Sequence, residues 1–135
     1  MPVVIRSPRE TSITVHGYLD EMWARAKEEA KAVLTGIARA RNVIPYSDLA
    51  ARINAISFLA DDQRFFFLLR EISSEEYHAG RGMLTAVVVH TRGDFKPGPG
   101  FFELARGLGL DATNTDRLWV EQITQAHDYW SAQSP

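Results

Sequence analysis

The amino-acid sequence predicts a single α+β domain that is mostly helical and carries a small β-sheet. Three observations favour this class: apolar residues recur at steps of three and four over long stretches, one short apolar run has the composition of a buried strand, and glycine and proline cluster between such segments. With 135 residues, of which 45% are hydrophobic and 24% charged, the chain has the size and composition of one ordinary domain. We therefore expect one domain, residues 1–135.

Residues 1–16 are expected to form N-terminal strands, and residues 17–135 a helical core. The N-terminal part contains two β-like pieces, PVVIR and TSITVH, separated by a polar link. A long amphipathic helix is then expected from Tyr18 to about Ala40, because its apolar residues fall on one stripe. The residues of this stripe are Leu19, Met22, Trp23, Ala26, Ala30, Val33, Leu34 and Ile37.

The segment RNVIPYSDLAARI predicts a turn followed by a short helix. Pro45 disfavours helical geometry for the residue before it, and the Ser47 side chain is suited to capping a helix N-terminus. Asp48 is also favourably placed in the first turn, since acidic side chains stabilise that end of a helix. We expect this helix from Asp48 to Ile53.

A third helix is expected to begin near Asp61 or Asp62, whose carboxylates suit a helix N-terminus. Apolar residues continue around most of the circumference of this helix, so that little of it is left for solvent. We therefore place the helix centrally in the fold. Its predicted buried face consists of Phe65, Leu68, Leu69 and Ile72, widened by Phe66 and Phe67.

The second half of the chain predicts a strand and two further helices. The continuous apolar run in MLTAVVVHT predicts a buried strand, residues 84–91. The glycine- and proline-rich stretch that follows returns the chain to a helix from Phe101 to about Leu108. A final helix is expected from Asn114 or Thr115 to Ser131, with an inner face of Trp119, Ile123, Ala126 and Trp130.

Composition and motifs exclude several kinds of chemistry. Cysteine is absent, which excludes thiol nucleophiles and thiolate metal sites, and no histidine stands in a metal-binding spacing. Neither glycine-rich nucleotide fingerprint nor a G-x-S-x-G elbow is present. We therefore expect no metal, no cofactor and no enzymatic activity. The alternative is a small hydrolase or nuclease that uses His90, at the end of the predicted strand, or His78, three residues after Glu75.

The order of predicted elements is that of a winged helix-turn-helix core. The order is helix, Pro-Tyr turn, short helix, longer helix, strand and hairpin-like loop. The segment VLTGIARARNVIPYSDLAARI, residues 33–53, also resembles the first half of the DNA-binding domain of alkylguanine alkyltransferases and alkyltransferase-like proteins. Their active-site motif, PCHRV or PWHR, is missing, and GRGMLTAVVV stands about where it would be expected. The resemblance therefore implies a winged-helix frame without alkyl transfer.

A second resemblance covers GRGMLTAVVVHTRGDFKPGPGFFELA, residues 80–105. This segment is similar to a stretch of uncharacterised bacterial proteins of the form L-T-x-x-V-V followed by P-G-x-G-F. The similarity implies a bacterial or phage setting, and it assigns no activity.

The leading functional hypothesis is a non-enzymatic, winged-helix-like module that binds DNA or RNA or has a regulatory role. Residues 1–60 hold eight Lys/Arg against six Asp/Glu, whereas residues 61–135 hold seven against eleven, so any basic surface is expected on the first half. Asp61 and Asp62 oppose this hypothesis, because they would meet the polyanion at the start of the recognition helix. The candidate phosphate contacts are Arg39, Arg41, Arg52 and Arg64, with Arg92 and Lys96 as a wing.

The alternative is a protein-interaction module that acts through the 92–102 loop and the acidic C-terminal half, with another protein or a second copy of the chain as partner. Conspicuous loops on rigid frames often carry function, and an exposed Phe95 would be an aromatic contact of the kind that interfaces favour. The partner or ligand candidates in and beside the loop are His90, Phe95, Gly98 and Gly100. The sequence predicts no membrane contact and a cytoplasmic location, because it has no signal-like N-terminal run and no long apolar stretch.

Overall fold

A computed structural model describes residues 14–91 and 95–133, and this part of the chain confirms the mostly helical α+β class. All five predicted helices are present, and each begins within two residues of its predicted start. Of the N-terminal strands predicted in residues 1–16, Thr14–Val15 form a strand, and residues 1–13 lie outside the described residues. In chain order the elements are β1 (Thr14–Val15), β2 (Tyr18–Leu19), α1 (Asp20–Arg39), β3 (Ile44–Pro45), α2 (Tyr46–Ala51), α3 (Gln63–His78), a 3₁₀-helix (Leu84–Val87), β4 (Val88–Val89), α4 (Pro99–Gly107) and α5 (Thr115–Ser131).

The described strands form two separate two-stranded sheets. β1 pairs antiparallel with β2 across a turn in which His16 and Gly17 both have positive φ, 53° and 87°, as tight hairpin turns require. β3 pairs parallel with β4, with Ile44 opposite Val88. This arrangement does not confirm the winged-helix core, which stays a prediction.

The buried strand predicted for residues 84–91 is wrong in its backbone geometry. The segment is buried, but Leu84–Val87 form a 3₁₀-helix and only Val88–Val89 form a strand. The reason is that side chains make hydrogen bonds with the backbone of this segment, which in a strand would be made by a neighbouring strand. These hydrogen bonds run from Met83 N–H to Gln122 Oε1 (3.0 Å), from Thr85 N–H to Ser73 Oγ (3.0 Å) and from Trp119 Nε1–H to the Ala86 carbonyl (2.8 Å).

The N-cap predicted at Ser47 is also wrong. α2 begins at Tyr46, and Pro45 occupies the N-cap position with the extended geometry φ −65°, ψ 149°. Pro45 reaches this geometry at little cost, because its ring fixes φ near that value. Ser47 therefore lies inside the first turn of α2 and is exposed.

The core lies between α1, α3 and α5, and the 3₁₀-helix packs against all three. The central placement of α3 is confirmed, since Phe65, Leu68 and Ile72 are fully buried. A smaller apolar cluster connects α4 to α5 and to Met83. Because α4 also contacts α3, the second cluster fixes α4 alongside α3.

A buried carboxylate connects the C-terminal part of α3 to α1 and to the turn after α3. Glu76 has no exposed side-chain surface and accepts hydrogen bonds from Arg81 Nε (2.9 Å) and Nη2 (2.7 Å). Its second cation is Lys31, whose Nζ lies 3.0 Å from Oε2. Burial opposes the charged form, but the hydrogen bonds from Arg81 and the contact with Lys31 outweigh it and hold the pKa of Glu76 below its ordinary value.

Two glycines in equally open surroundings allow a test of backbone geometry. Gly36 lies within α1 and Gly80 follows α3, and an added Cβ would meet no atom within 4 Å at either position. They differ in conformation, because Gly80 has φ +82° and Gly36 is helical. We expect Gly36→Ala to raise the free energy of unfolding by about 0.5–1 kcal/mol, since alanine restricts the unfolded chain more than glycine does.

The matched control is Gly80→Ala, which adds the same methyl group to a left-handed residue. We expect it to lower the free energy of unfolding by about 1–2 kcal/mol. Urea denaturation of both variants measures the two changes. Equal effects of the same sign would contradict the assignment of these two backbone conformations.

Candidate functional site

A pocket of about 350 Å³ lies between α3 and α4, and Tyr46 and His90 also line it. Most of its lining is apolar, and a few polar side chains interrupt it. Pockets of this size, apolar with a small number of polar groups, are typical of sites for small ligands. The lining residues from α3 are Gln63, Phe66, Phe67, Leu69 and Arg70.

The α3 wall is a single helical stripe. Gln63, Phe66, Phe67 and Arg70 follow the spacing i, i+3, i+4, i+7, so they share one face over about 10 Å of helix. The core stripe, which includes Phe65, lies on the other side. The run QRFFFLLR therefore supplies two apolar faces, one for the core and one for the pocket.

One end of the pocket is built around Tyr46. Its hydroxyl oxygen accepts a hydrogen bond from the Gly98 N–H at 2.9 Å. Its ring meets Phe66 edge-on at 5.9 Å between centroids and lies 4.9 Å from the His90 ring. Burial raises the pKa of Tyr46 above its ordinary value, although the hydrogen bond from Gly98 acts in the opposite direction. The phenol therefore stays protonated at neutral pH.

The His90 ring lies so close to the backbone of residue 98 that this position of the glycine- and proline-rich loop requires glycine. A Cβ at position 98 would lie 2.8 Å from His90 Nε2, so a larger residue there would displace the imidazole. The loop ends are joined by a hydrogen bond from the His90 N–H to the Lys96 carbonyl, 2.9 Å long. Pro99 then occupies the first helical position of α4, where its missing N–H costs nothing. This is why α4 begins at Pro99 rather than at the predicted Phe101.

Three of the four loop candidates converge on the pocket. His90, Gly98 and Gly100 line it, whereas Phe95 has 57% of its surface exposed and is not one of the lining residues. Sequence reasoning did not identify Tyr46 as a site residue, because its contact with Gly98 spans 52 positions. It also missed Arg70 and the pocket face of Phe66, for which the i, i+3, i+4, i+7 spacing is the signal.

The basic candidates for nucleic-acid binding are spread over the surface, and several have acidic partners. Arg41 contacts Asp128 at 2.9 Å, and Lys96 pairs with Asp116. These two partners are twelve residues apart on α5, or about 18 Å, so Arg41 and Lys96 lie toward opposite ends of that helix. The remaining candidates are Arg64, which pairs with Asp62 at 3.2 Å, half-buried Arg39, exposed Arg52, and Arg92, which lies outside the described residues.

The two candidate catalytic histidines differ in their surroundings. His78 is exposed at the end of α3, and Glu75, three residues before it, contacts Lys27 at 2.8 Å. His90 and Glu103 line the same pocket. Within residues 14–91 and 95–133, no group of three histidine and acidic side chains could hold a metal ion.

Comparisons with known proteins identify no relative of this chain: no protein-family model, no curated protein and no solved structure matches it. Over the described part of the chain, no helix is both long enough and apolar enough to cross a membrane. The site is therefore interpreted from its own geometry.

Proposed function

We propose that this protein is a non-enzymatic binding module that holds a small organic ligand in the pocket between α3 and α4. The observation that carries the proposal is the convergence of His90, Gly98 and Gly100 with Tyr46 on one apolar pocket of about 350 Å³. This volume lies at the lower end of the range of about 300–1,000 Å³ for ligand pockets. It suits a ligand with one ring and a few polar atoms.

The charge arrangement favours this function over nucleic-acid binding. Phosphate contacts require cations that are available to the backbone of the nucleic acid. Arg41, Arg64 and Lys96 each contact a carboxylate, so phosphates would have to displace an acidic partner at each of them. The pocket, in contrast, needs no rearrangement to admit a small molecule.

A substitution that narrows the pocket tests the proposal. Gly100 lines the pocket in the first turn of α4, and an added Cβ there would meet no atom within 4 Å. We expect Gly100→Leu to weaken ligand binding by about tenfold or more, since its side chain takes space that the ligand needs. The measurement is ligand-observed NMR with pooled aromatic and aliphatic fragments, followed by titration of the fragments that bind the unmodified protein.

The matched control is Gly107→Leu at the other end of the same helix. Gly107 has equally open surroundings and does not line the pocket, so this variant makes the same chemical change elsewhere. We expect its fragment affinities to stay within about twofold of those of the unmodified protein. If fragments bind Gly100→Leu as tightly as the control, the proposed function is wrong.

A further inference from the structure

We infer that the ligand of this pocket is a free aromatic α-amino acid, with its carboxylate on Arg70 and its ammonium group on Glu103. The inference rests on the proposed function and names the class of ligand. Two opposite charges at one end of the pocket and apolar walls along the rest of it carry the argument.

Arg70 on α3 and Glu103 on α4 both line the pocket. Arg70 and Leu104 also line a neighbouring depression beside Glu71, and Tyr46 does not line that depression. Glu103 immediately precedes Leu104 on α4 and is about 1.5 Å from it along the helix axis. We therefore place both charges at the end of the pocket that is farther from Tyr46.

Both charges are available to a ligand. Arg70 and Glu103 are exposed, and neither makes an ion pair with any residue in 14–91 or 95–133. Neighbouring cations differ in this respect: on α3, Arg64 pairs with Asp62, and in the turn that follows, Arg81 pairs with Glu76. A guanidinium can take both oxygens of a carboxylate, and a glutamate oxygen can accept from an ammonium group.

A ligand with both charges fits this end better than a ligand with one. A simple carboxylic acid would meet Arg70 favourably but would be repelled by Glu103, and a simple amine would have the reverse problem. An α-amino acid carries both groups on a single carbon. Its side chain then extends between the helices toward the apolar part of the pocket.

The walls favour an aromatic side chain. Apart from its polar groups, the pocket is lined by Phe66, Phe67 and Leu69 on α3 and by Phe101 and Leu104 on α4. Phe66 keeps 37% of its surface exposed, and a ring placed beside it would cover apolar surface that now meets water. At the other end, the hydroxyl of Tyr46 accepts from the Gly98 N–H, and its proton is left to donate, because the hydroxyl makes no further hydrogen bond within the described residues.

Three related compounds test the inference on the full chain: L-phenylalanine, phenylacetate, which lacks the ammonium group, and phenethylamine, which lacks the carboxylate. Isothermal titration calorimetry measures each affinity. We expect phenylalanine to bind about tenfold more tightly than either analogue, because each analogue leaves one charge facing a like charge or water. An equal or tighter affinity for one analogue would overturn the inference.

Substitutions assign the two contacts. We expect Arg70→Gln to weaken phenylalanine about tenfold while leaving phenethylamine within about twofold, and Glu103→Gln to weaken phenylalanine while leaving phenylacetate unweakened. Arg106→Gln, on α4 and outside the pocket lining, is the control and should change neither affinity. All three positions are exposed, so the variants should fold like the unmodified protein.

The outcomes separate this inference from the proposed function. If none of the three compounds binds at millimolar concentration while other fragments bind in a way that Gly100→Leu blocks, the ligand class is wrong and the pocket remains the binding site. If binding is insensitive to Gly100→Leu, both are wrong. Equal weakening of phenylalanine binding by Arg70→Gln, Glu103→Gln and Arg106→Gln would also overturn the assigned contacts.

Discussion

Replacing Glu76 by alanine is expected to lower the free energy of unfolding by about 2–4 kcal/mol, because it removes the charge-assisted hydrogen bonds of Arg81 and the shared partner of Arg81 and Lys31, whose side chains are 26% and 37% exposed. Glu76 is fully buried and makes two hydrogen bonds to Arg81, 2.9 and 2.7 Å long. Arg81 also lies over the rings of Tyr129 and Trp130, so its position connects α3 to α5. Urea denaturation followed by circular dichroism measures the loss.

Glu75→Ala is the matched control, since it removes the same side chain from the adjacent position. Glu75 is 54% exposed in its side chain, and among the described residues it pairs only with Lys27, at the surface. Exposed pairs of this kind contribute about 1 kcal/mol or less, and we expect a loss of that size. If Glu76→Ala lowers the free energy of unfolding by no more than Glu75→Ala does, the buried cluster of Glu76, Arg81 and Lys31 is contradicted.

The pH dependence of the same variant gives a second readout. The pKa of Glu76 is lowered in the folded protein, so its contribution to stability is complete above its ordinary pKa of 4.5 and disappears as the pH falls through the lower, folded value. The stability difference between the unmodified protein and Glu76→Ala should therefore narrow as the pH falls below 4.5. Glu71 and Asp62 also have lowered pKa values, but they are present in both proteins and their effects cancel.

Replacing Phe65 by alanine is expected to lower the free energy of unfolding by about 3–5 kcal/mol, through lost apolar burial and the cavity that remains. Phe65 is fully buried in the first turn of α3 and stacks on Phe58 with ring centroids 5.4 Å apart. The measurement is again urea denaturation, with the slope of the transition checked against that of the unmodified protein.

The control for this substitution is Phe95→Ala, because Phe95 has the same side chain with 57% of its surface exposed. Substitutions at exposed positions usually change stability by about 0.5 kcal/mol or less. A small effect at position 65 would show that α3 is not central. Since Phe95 does not line the pocket, Phe95→Ala should also leave ligand binding unchanged. If a protein partner binds through Phe95, the same variant should lose the binding of that partner.

Patterns local in the sequence predicted the helices well. Apolar spacing placed α1, α3 and α5, and the start of α3 followed from the carboxylates of Asp61 and Asp62, since Asp62 accepts a hydrogen bond from the backbone N–H of Arg64. Asn114 caps α5 in the same way by accepting from the Arg117 N–H. These signals lie within a few residues of the structure that they determine. For this reason they can be identified without knowing how the chain folds back on itself.

The features that the sequence did not predict depend on distant residues. The 3₁₀-helix replaces the expected strand because Gln122 and Trp119, on α5, satisfy its backbone. The pocket likewise depends on Tyr46 meeting Gly98 across 52 positions. Arg41 was predicted as a phosphate contact, and its partner Asp128 is 87 positions away. Composition and spacing contain no information about such pairs in a single sequence.

The dependence of the 3₁₀-helix on side chains has a consequence for folding. The N–H groups of Met83 and Thr85 find their partners on α5 and α3, which are separated by more than 35 positions in the chain. The hydrogen bond from the Ala86 N–H to the Met83 carbonyl is local, but the N–H groups of Met83 and Thr85 stay without these partners until both helices come together, and an unpaired buried backbone group is costly. The 3₁₀-helix, α3 and α5 should accordingly fold and unfold as one cooperative unit. The amide hydrogens of Met83 and Thr85 should then exchange with solvent only when the whole domain opens.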